Sequence, residues 1–99
     1  MNVRVSGKQI DIGDALPEQV RIKFESAIGK HFDGGIDATV VFSHEGPLYR
    51  ADCSAHLDSG VTLKSQGDAE DAYRAFDVAL DHLEKQVRRY MRKLKSHHP

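Results

Sequence analysis

The chain is 99 residues long, with 39% hydrophobic and 29% charged residues, one cysteine and a formal net charge of −1. That length holds one modest hydrophobic core and not two, and the composition is ordinary for a globular protein. No apolar run reaches the about 18 residues that span a bilayer, and the lone cysteine leaves no intramolecular disulfide. The start, MNVRVSGKQIDIG, lacks the apolar stretch and cleavage site of a secretory signal, so a cytoplasmic, reducing location is expected.

Residues 2–6, NVRVS, alternate with Val3 and Val5 on one side, as a half-buried strand does, and Gly7 ends or bulges it. The period then changes. Leu16, Val20, Phe24, Ile28 and Phe32 recur every four residues with Ala27 beside them, which is one face of a helix. Asp14 is expected as its N-cap, Pro17 and Glu18 in its first turn, and Asp33-Gly34-Gly35 as its stop.

In IDATVVFSHE, Ile36, Ala38, Val40 and Phe42 share one face, and Glu45-Gly46-Pro47 signals a turn. LYRADCSAHL then alternates cleanly. Tyr49, Ala51, Cys53, Ala55 and Leu57 lie on one face, with Arg50, Asp52, Ser54, His56 and Asp58 on the other, the pattern of an antiparallel sheet covered on one side only. Asp58-Ser59-Gly60 turns the chain into VTLKSQG, a last short strand carrying Val61 and Leu63 inward.

From Asp68 onward the helical period returns: Ala72, Phe76, Ala79, Leu80, Leu83, Val87, Met91 and Leu94 form one apolar stripe. Asp68 with Asp71 resembles a capping pair, and Glu70 with Asp71 complements the positive end of the helix dipole. A helix of about 26 residues is about 40 Å long, more than so small a sheet needs, so its C-terminal end should project. The element order β-α-β-β-β-α predicts an α+β two-layer sandwich, a four-stranded sheet with two helices on one face.

The near-zero net charge hides an asymmetry. Residues 1–84 hold 8 Lys/Arg against all 15 Asp/Glu, a balance of −7, whereas residues 85–99 hold 6 Lys/Arg and no acid. Lys85, Arg88, Arg89, Arg92, Lys93 and Lys95 stand away from Leu83, Val87, Met91 and Leu94 on a helical projection and flank Tyr90. Cations suit a helix C-terminus, but the dipole effect dies within one turn, whereas these occupy about three. The run therefore predicts a face for a polyanion, with Lys23 and Lys30 on the first helix extending it if the helices lie side by side. A basic amphipathic helix also suits an anionic membrane. Here the apolar stripe is needed to cover the sheet and the chain has no Trp to anchor an interface, which leaves nucleic acid. A compact sheet-and-helix module reading phosphates by shape suits structured RNA. The outward sheet positions Arg4, Thr39, Arg50, Ser54 and Thr62 offer no aromatic stacking platform.

Catalysis finds no support. Cys53 falls on an inward position as an inert thiol, and His44 and His56 lack a carboxylate at a motif spacing. His97-His98 beside Pro99 are weak as metal ligands, and no metal, phosphate-loop or nucleophile motif occurs. No enzyme activity, cofactor, metal or small-molecule substrate is expected.

Two segments carry a family resemblance. SQGDAEDAYRAFDVALDHLEKQVRRYMRKLK, residues 65–95, resembles the C-terminal part of the ribosome hibernation-promoting factors, also called ribosome-associated translation inhibitors, through Gly67, Glu70, Asp71, Tyr73, Ala75, Phe76, Asp77, Leu83, Glu84, Lys85, Gln86 and Val87. VRVSGKQIDIGDALPEQVRIKFESAIGKHFD is similar to the family's opening, with departures at Ala72 and at Gly13-Asp14 that touch packing and capping rather than charge. The resemblance implies the same β-α-β-β-β-α fold, similar to double-stranded-RNA-binding domains. It implies a stress and stationary-phase factor that binds 16S rRNA at the decoding region of the 30S subunit, in free subunits and 70S ribosomes, and blocks mRNA and tRNA. The phosphate contacts would be Lys85, Arg88, Arg89, Arg92, Lys93 and Lys95, supported by Lys23 and Lys30. Long-form members continue after such a helix into a linker and a dimerisation domain. The expectation is a single ribosome-binding domain over residues 1–99, the N-terminal part of a longer chain and able to pair ribosomes if that domain follows. The alternative is a general structured-RNA-binding module without ribosome specificity.

Overall fold

The computed structural model describes residues 1–96, with side chains through Leu94. It contains β1 (Asn2–Gly7), α1 (Ala15–Gly29), β2 (Ile36–Glu45), β3 (Leu48–Leu57), β4 (Thr62–Ala69) and α2 (Ala72–Ser96), in the expected order. The strands lie in the order β1-β2-β3-β4. β1 and β2 run parallel and the other pairs antiparallel. The sheet is mixed because α1 is a crossover between β1 and β2, which must return the chain in the same direction.

Register sets the core. Val5, Val40, Cys53 and Ser65 form one row across the sheet, and Val3, Ala38, Ala55 and Leu63 the next. These inward positions meet Leu16, Val20, Phe24 and Ile28 of α1 and Ala75, Phe76, Ala79, Leu80, Leu83 and Val87 of α2, all buried. The other sheet face is open and polar. There Arg50 makes a two-pronged contact with Asp68, at 2.7 and 3.0 Å, and Gln66 donates to Asp52 at 2.7 Å.

Three boundaries differ from the sequence reading, each for a physical reason. α1 ends at Gly29 rather than at Asp33, with the amides of His31 and Phe32 both turning back to the Ile28 carbonyl. A four-residue spacing drifts by about 40° per step on an α-helix, so the helix could not continue and keep Phe32 over the sheet. Asp14 occupies the N-cap position of α1 without a side-chain capping bond. At the other end, β4 runs through Asp68, whose carboxylate holds Arg50, and α2 starts at Ala72. Asp71 alone caps it, accepting from the Arg74 amide at 2.8 Å.

Gly67 lies inside β4 rather than at its end because α2 passes close above. A Cβ there would abut the Ala75 carbonyl and stand 2.5 Å from the Ala79 nitrogen. Ser65 Oγ donates to the Ala79 carbonyl at 2.7 Å, and Gln86 Nε2 donates to the Lys64 carbonyl at 2.6 Å. The edge strand β4 is thereby covered by the helix. Val87 is the last fully buried residue of α2. Tyr90 and Met91 are half-buried and Leu94 is 47% exposed, so the stripe leaves the core before its end and the helix projects, in a molecule measuring 50 × 22 × 19 Å.

Candidate nucleic-acid interface

The second half of α2 is a basic ridge. With Leu83 and Val87 turned into the core, successive residues about 100° apart place 85, 88, 89 and 92 on the opposite side. Lys85, Arg88, Arg89, Arg92 and Lys93 are all exposed. Lys85 is paired with Asp81 one turn back, at 3.0 Å. Among the described residues no carboxylate lies within ion-pair distance of Arg88, Arg89 or Arg92, since the acids of this helix face, Asp77 and Asp81, end before them. The side chain of Lys95 lies outside the described ones, as do His97 and His98.

The two helices do lie side by side. Lys23 Nζ meets Asp77 at 2.8 Å and Lys30 Nζ meets Glu84 at 3.4 Å. The spacing of seven residues is the same on both helices, so α1 and α2 run parallel with two turns between the bridges. Lys30 reaches the ridge. Lys23 sits two turns back along the seam, held by Asp77.

A groove of about 430 Å³ opens between the end of α1 and the ridge, lined by Lys30, His31, Arg88, Met91 and Arg92. A second, of about 370 Å³, lies on the other flank, lined by Leu63, Gln86, Arg89, Tyr90 and Lys93. Tyr90 is fixed there by a 2.7 Å hydrogen bond between its hydroxyl and that of Ser59 in the β3–β4 turn. Each groove thus combines cationic walls with an apolar floor, which accommodates a phosphate backbone without demanding a base sequence.

His31 escaped the sequence reading. Its Nε2 lies 2.8 Å from Glu84 Oε2, the oxygen that Lys30 also approaches. The hydrogen bond from His31, with Lys30 assisting against burial, holds the Glu84 carboxyl below the usual range. A contact made across 53 positions leaves no local signal.

Elsewhere the titratable groups serve the fold. Burial pushes the Cys53 thiol up to about 12, against a lowering hydrogen bond from Ser65. The hydrogen bond from Arg50 lowers Asp68, and that same bond raises Arg50. Among the described residues no three His, Cys, Asp or Glu side chains gather as a metal site, and no helix is long and apolar enough to cross a membrane.

Residues 3–95 match the model of the family described as Sigma 54 modulation protein / S30EA ribosomal protein. The chain is 46% identical over 98 residues to a ribosome hibernation promotion factor of Rhizobium meliloti, across 99% of this chain and 52% of that protein. It is 41% identical over 95 residues to a protein of the same name from Bradyrhizobium diazoefficiens, across 96% of this chain and 47% of that one. The chain therefore spans about half the length of these curated relatives. The solved N-terminal domain of Thermus thermophilus Protein Y superposes with a TM-score of 0.81 at 33% identity, covering 91% of this chain and 99% of that domain.

Proposed function

The chain belongs to the Sigma 54 modulation protein / S30EA ribosomal protein family, and from that membership and the basic ridge we propose that it is the ribosome-binding module of a hibernation factor. The observation that carries this reading is the trio Arg88, Arg89 and Arg92, exposed on a projecting helix with no carboxylate partner among the described residues. Unneutralised guanidiniums in that geometry favour phosphate.

In this reading α2 docks on 16S rRNA at the decoding region of the small subunit, through Lys85, Arg88, Arg89, Arg92, Lys93 and Lys95 with Lys30 at its flank. The body of the domain then fills space that mRNA and tRNA need. No bond is made or broken; inhibition is steric and electrostatic. The decoding-region location rests on the family resemblance, the use of phosphates on the ridge geometry. The greater length of these two relatives supports a longer native chain with this as its N-terminal domain, and ribosome pairing would depend on a further domain following it. The site of action is the cytoplasm.

The test is co-sedimentation of Arg88→Glu/Arg89→Glu/Arg92→Glu with 30S subunits and 70S ribosomes, alongside circular dichroism. Loss of binding with helicity retained supports the proposal, and undiminished binding overturns it. A second reading, a general structured-RNA binder, draws on the same ridge because phosphate contacts carry no sequence information. Equal affinity for duplex RNA and for intact ribosomes in competition would favour it.

A further inference from the structure

We propose that His31 is a proton-linked phosphate contact of the groove between α1 and α2, held in position by Glu84. The inference rests on the RNA-binding reading and adds a residue and a regulator to it. Glu84 Oε2 lies 2.8 Å from His31 Nε2 and 3.4 Å from Lys30 Nζ, so one carboxylate oxygen orients two groove-lining side chains. An ionised carboxylate can only accept, and the low position of Glu84 keeps it ionised. The neutral imidazole must therefore carry its hydrogen on Nε2, which leaves a bare lone pair on Nδ1. No hydrogen-bond partner for Nδ1 occurs among the described residues.

A phosphate oxygen meeting that lone pair is repelled. Protonation at Nδ1 turns the same atom into a donor and adds a positive charge beside Lys30, Arg88 and Arg92, while Nε2 keeps its bond to Glu84. The charged groups facing His31 are Lys30 from the end of α1 and Glu84, Arg88 and Arg92 from α2; no strand residue lines this groove. An entering phosphate offsets the cations, so binding draws a proton onto His31 and affinity rises as pH falls. Reciprocity follows from linkage: whatever RNA does to the proton, the proton does to RNA.

The experiment is fluorescence anisotropy with a mixed-sequence RNA duplex of about 16 base pairs, a length such modules span, from pH 8 to 5.5 at constant ionic strength. NMR titration of the His31 ring is run with and without that RNA. As pH falls, wild type should gain affinity beyond any gain shown by His31→Gln. A midpoint raised by about one unit on binding corresponds to a tenfold gain. Superimposable pH profiles for wild type and His31→Gln, or a His31 midpoint that RNA leaves unmoved or lowers, overturn the proposal while leaving the RNA-binding reading intact. Failure of wild type to bind this duplex at any pH overturns the proposal, while the ribosome-binding reading stands or falls by co-sedimentation.

Discussion

Gly67 of β4 packs its Cα against the carbonyl of Ala75 on α2 so closely that no methyl fits between them. The sheet-to-helix distance in the layer that carries the ridge is thus set by a missing side chain. Gly67→Ala should push α2 outward and break the Ser65–Ala79 hydrogen bond with it. The expected cost is about 1–3 kcal/mol, read as a lower urea midpoint at unchanged m-value. An unchanged midpoint would contradict the packing described.

Acid should loosen the seam between the helices. The folded-state pKa of Glu84 lies below its ordinary value of 4.5. Its stabilising contribution is therefore complete above that value and disappears as pH falls through the lowered one. Glu84→Gln should be less stable than wild type at pH 7, by no more than about 1 kcal/mol since the pair is partly solvated. The gap should close as pH falls below 4.5 in urea titrations, because only wild type has this group to lose. Asp68, lowered by Arg50 on the open face, adds to the wild-type decline in the same acid direction and is common to both proteins.

Cys53 is buried and its thiol is pushed up to about 12. Labelling with a maleimide at pH 8 should be slow in the native state and should accelerate with urea in step with unfolding. Prompt native labelling would place the thiol at the surface and contradict the register of β3.

The salt dependence of RNA binding should separate the ridge from the seam. Arg92→Gln should weaken binding uniformly across RNA sequences and reduce the log–log salt slope by about one phosphate's worth, about 0.7–0.9. Lys23→Gln should change the slope little, because Asp77 already occupies Lys23 at 2.8 Å. Equal slopes lost from both variants would mean that RNA reaches two turns further along the seam than the groove does.

Period alone placed most of the inward residues of β1, β2, β3 and both helices, because a half-buried element advertises its face by repetition, but it missed Ala75 of α2 and the inward Ser65 and Gly67 of β4. Val3, Val40, Cys53 and Phe76 are buried where alternation and the helical stripe put them. Gly67 was harder. Read locally it ends a strand, and only the helix crossing above shows that it belongs inside one. Asp68 likewise passes for a capping residue until Arg50, 18 positions away, is seen to hold it. The ridge was legible because its charge is contiguous in sequence. The groove was not, because Lys30 and His31 join Arg88 and Arg92 only through the parallel packing of α1 on α2.

The overhang of α2 has a kinetic consequence. The chain carries +6 within its last 15 residues and −7 over the rest, along a body 50 Å long, so it is an electric dipole as much as a binding surface. In the field of a polyanion, which persists for about 10 Å in moderate salt, such a body experiences a torque before it makes contact. It should turn so that the basic tip leads and the rest of the molecule, net acidic, trails. Encounter then selects the docking orientation in advance, and raising salt should slow association before it measurably alters the fold.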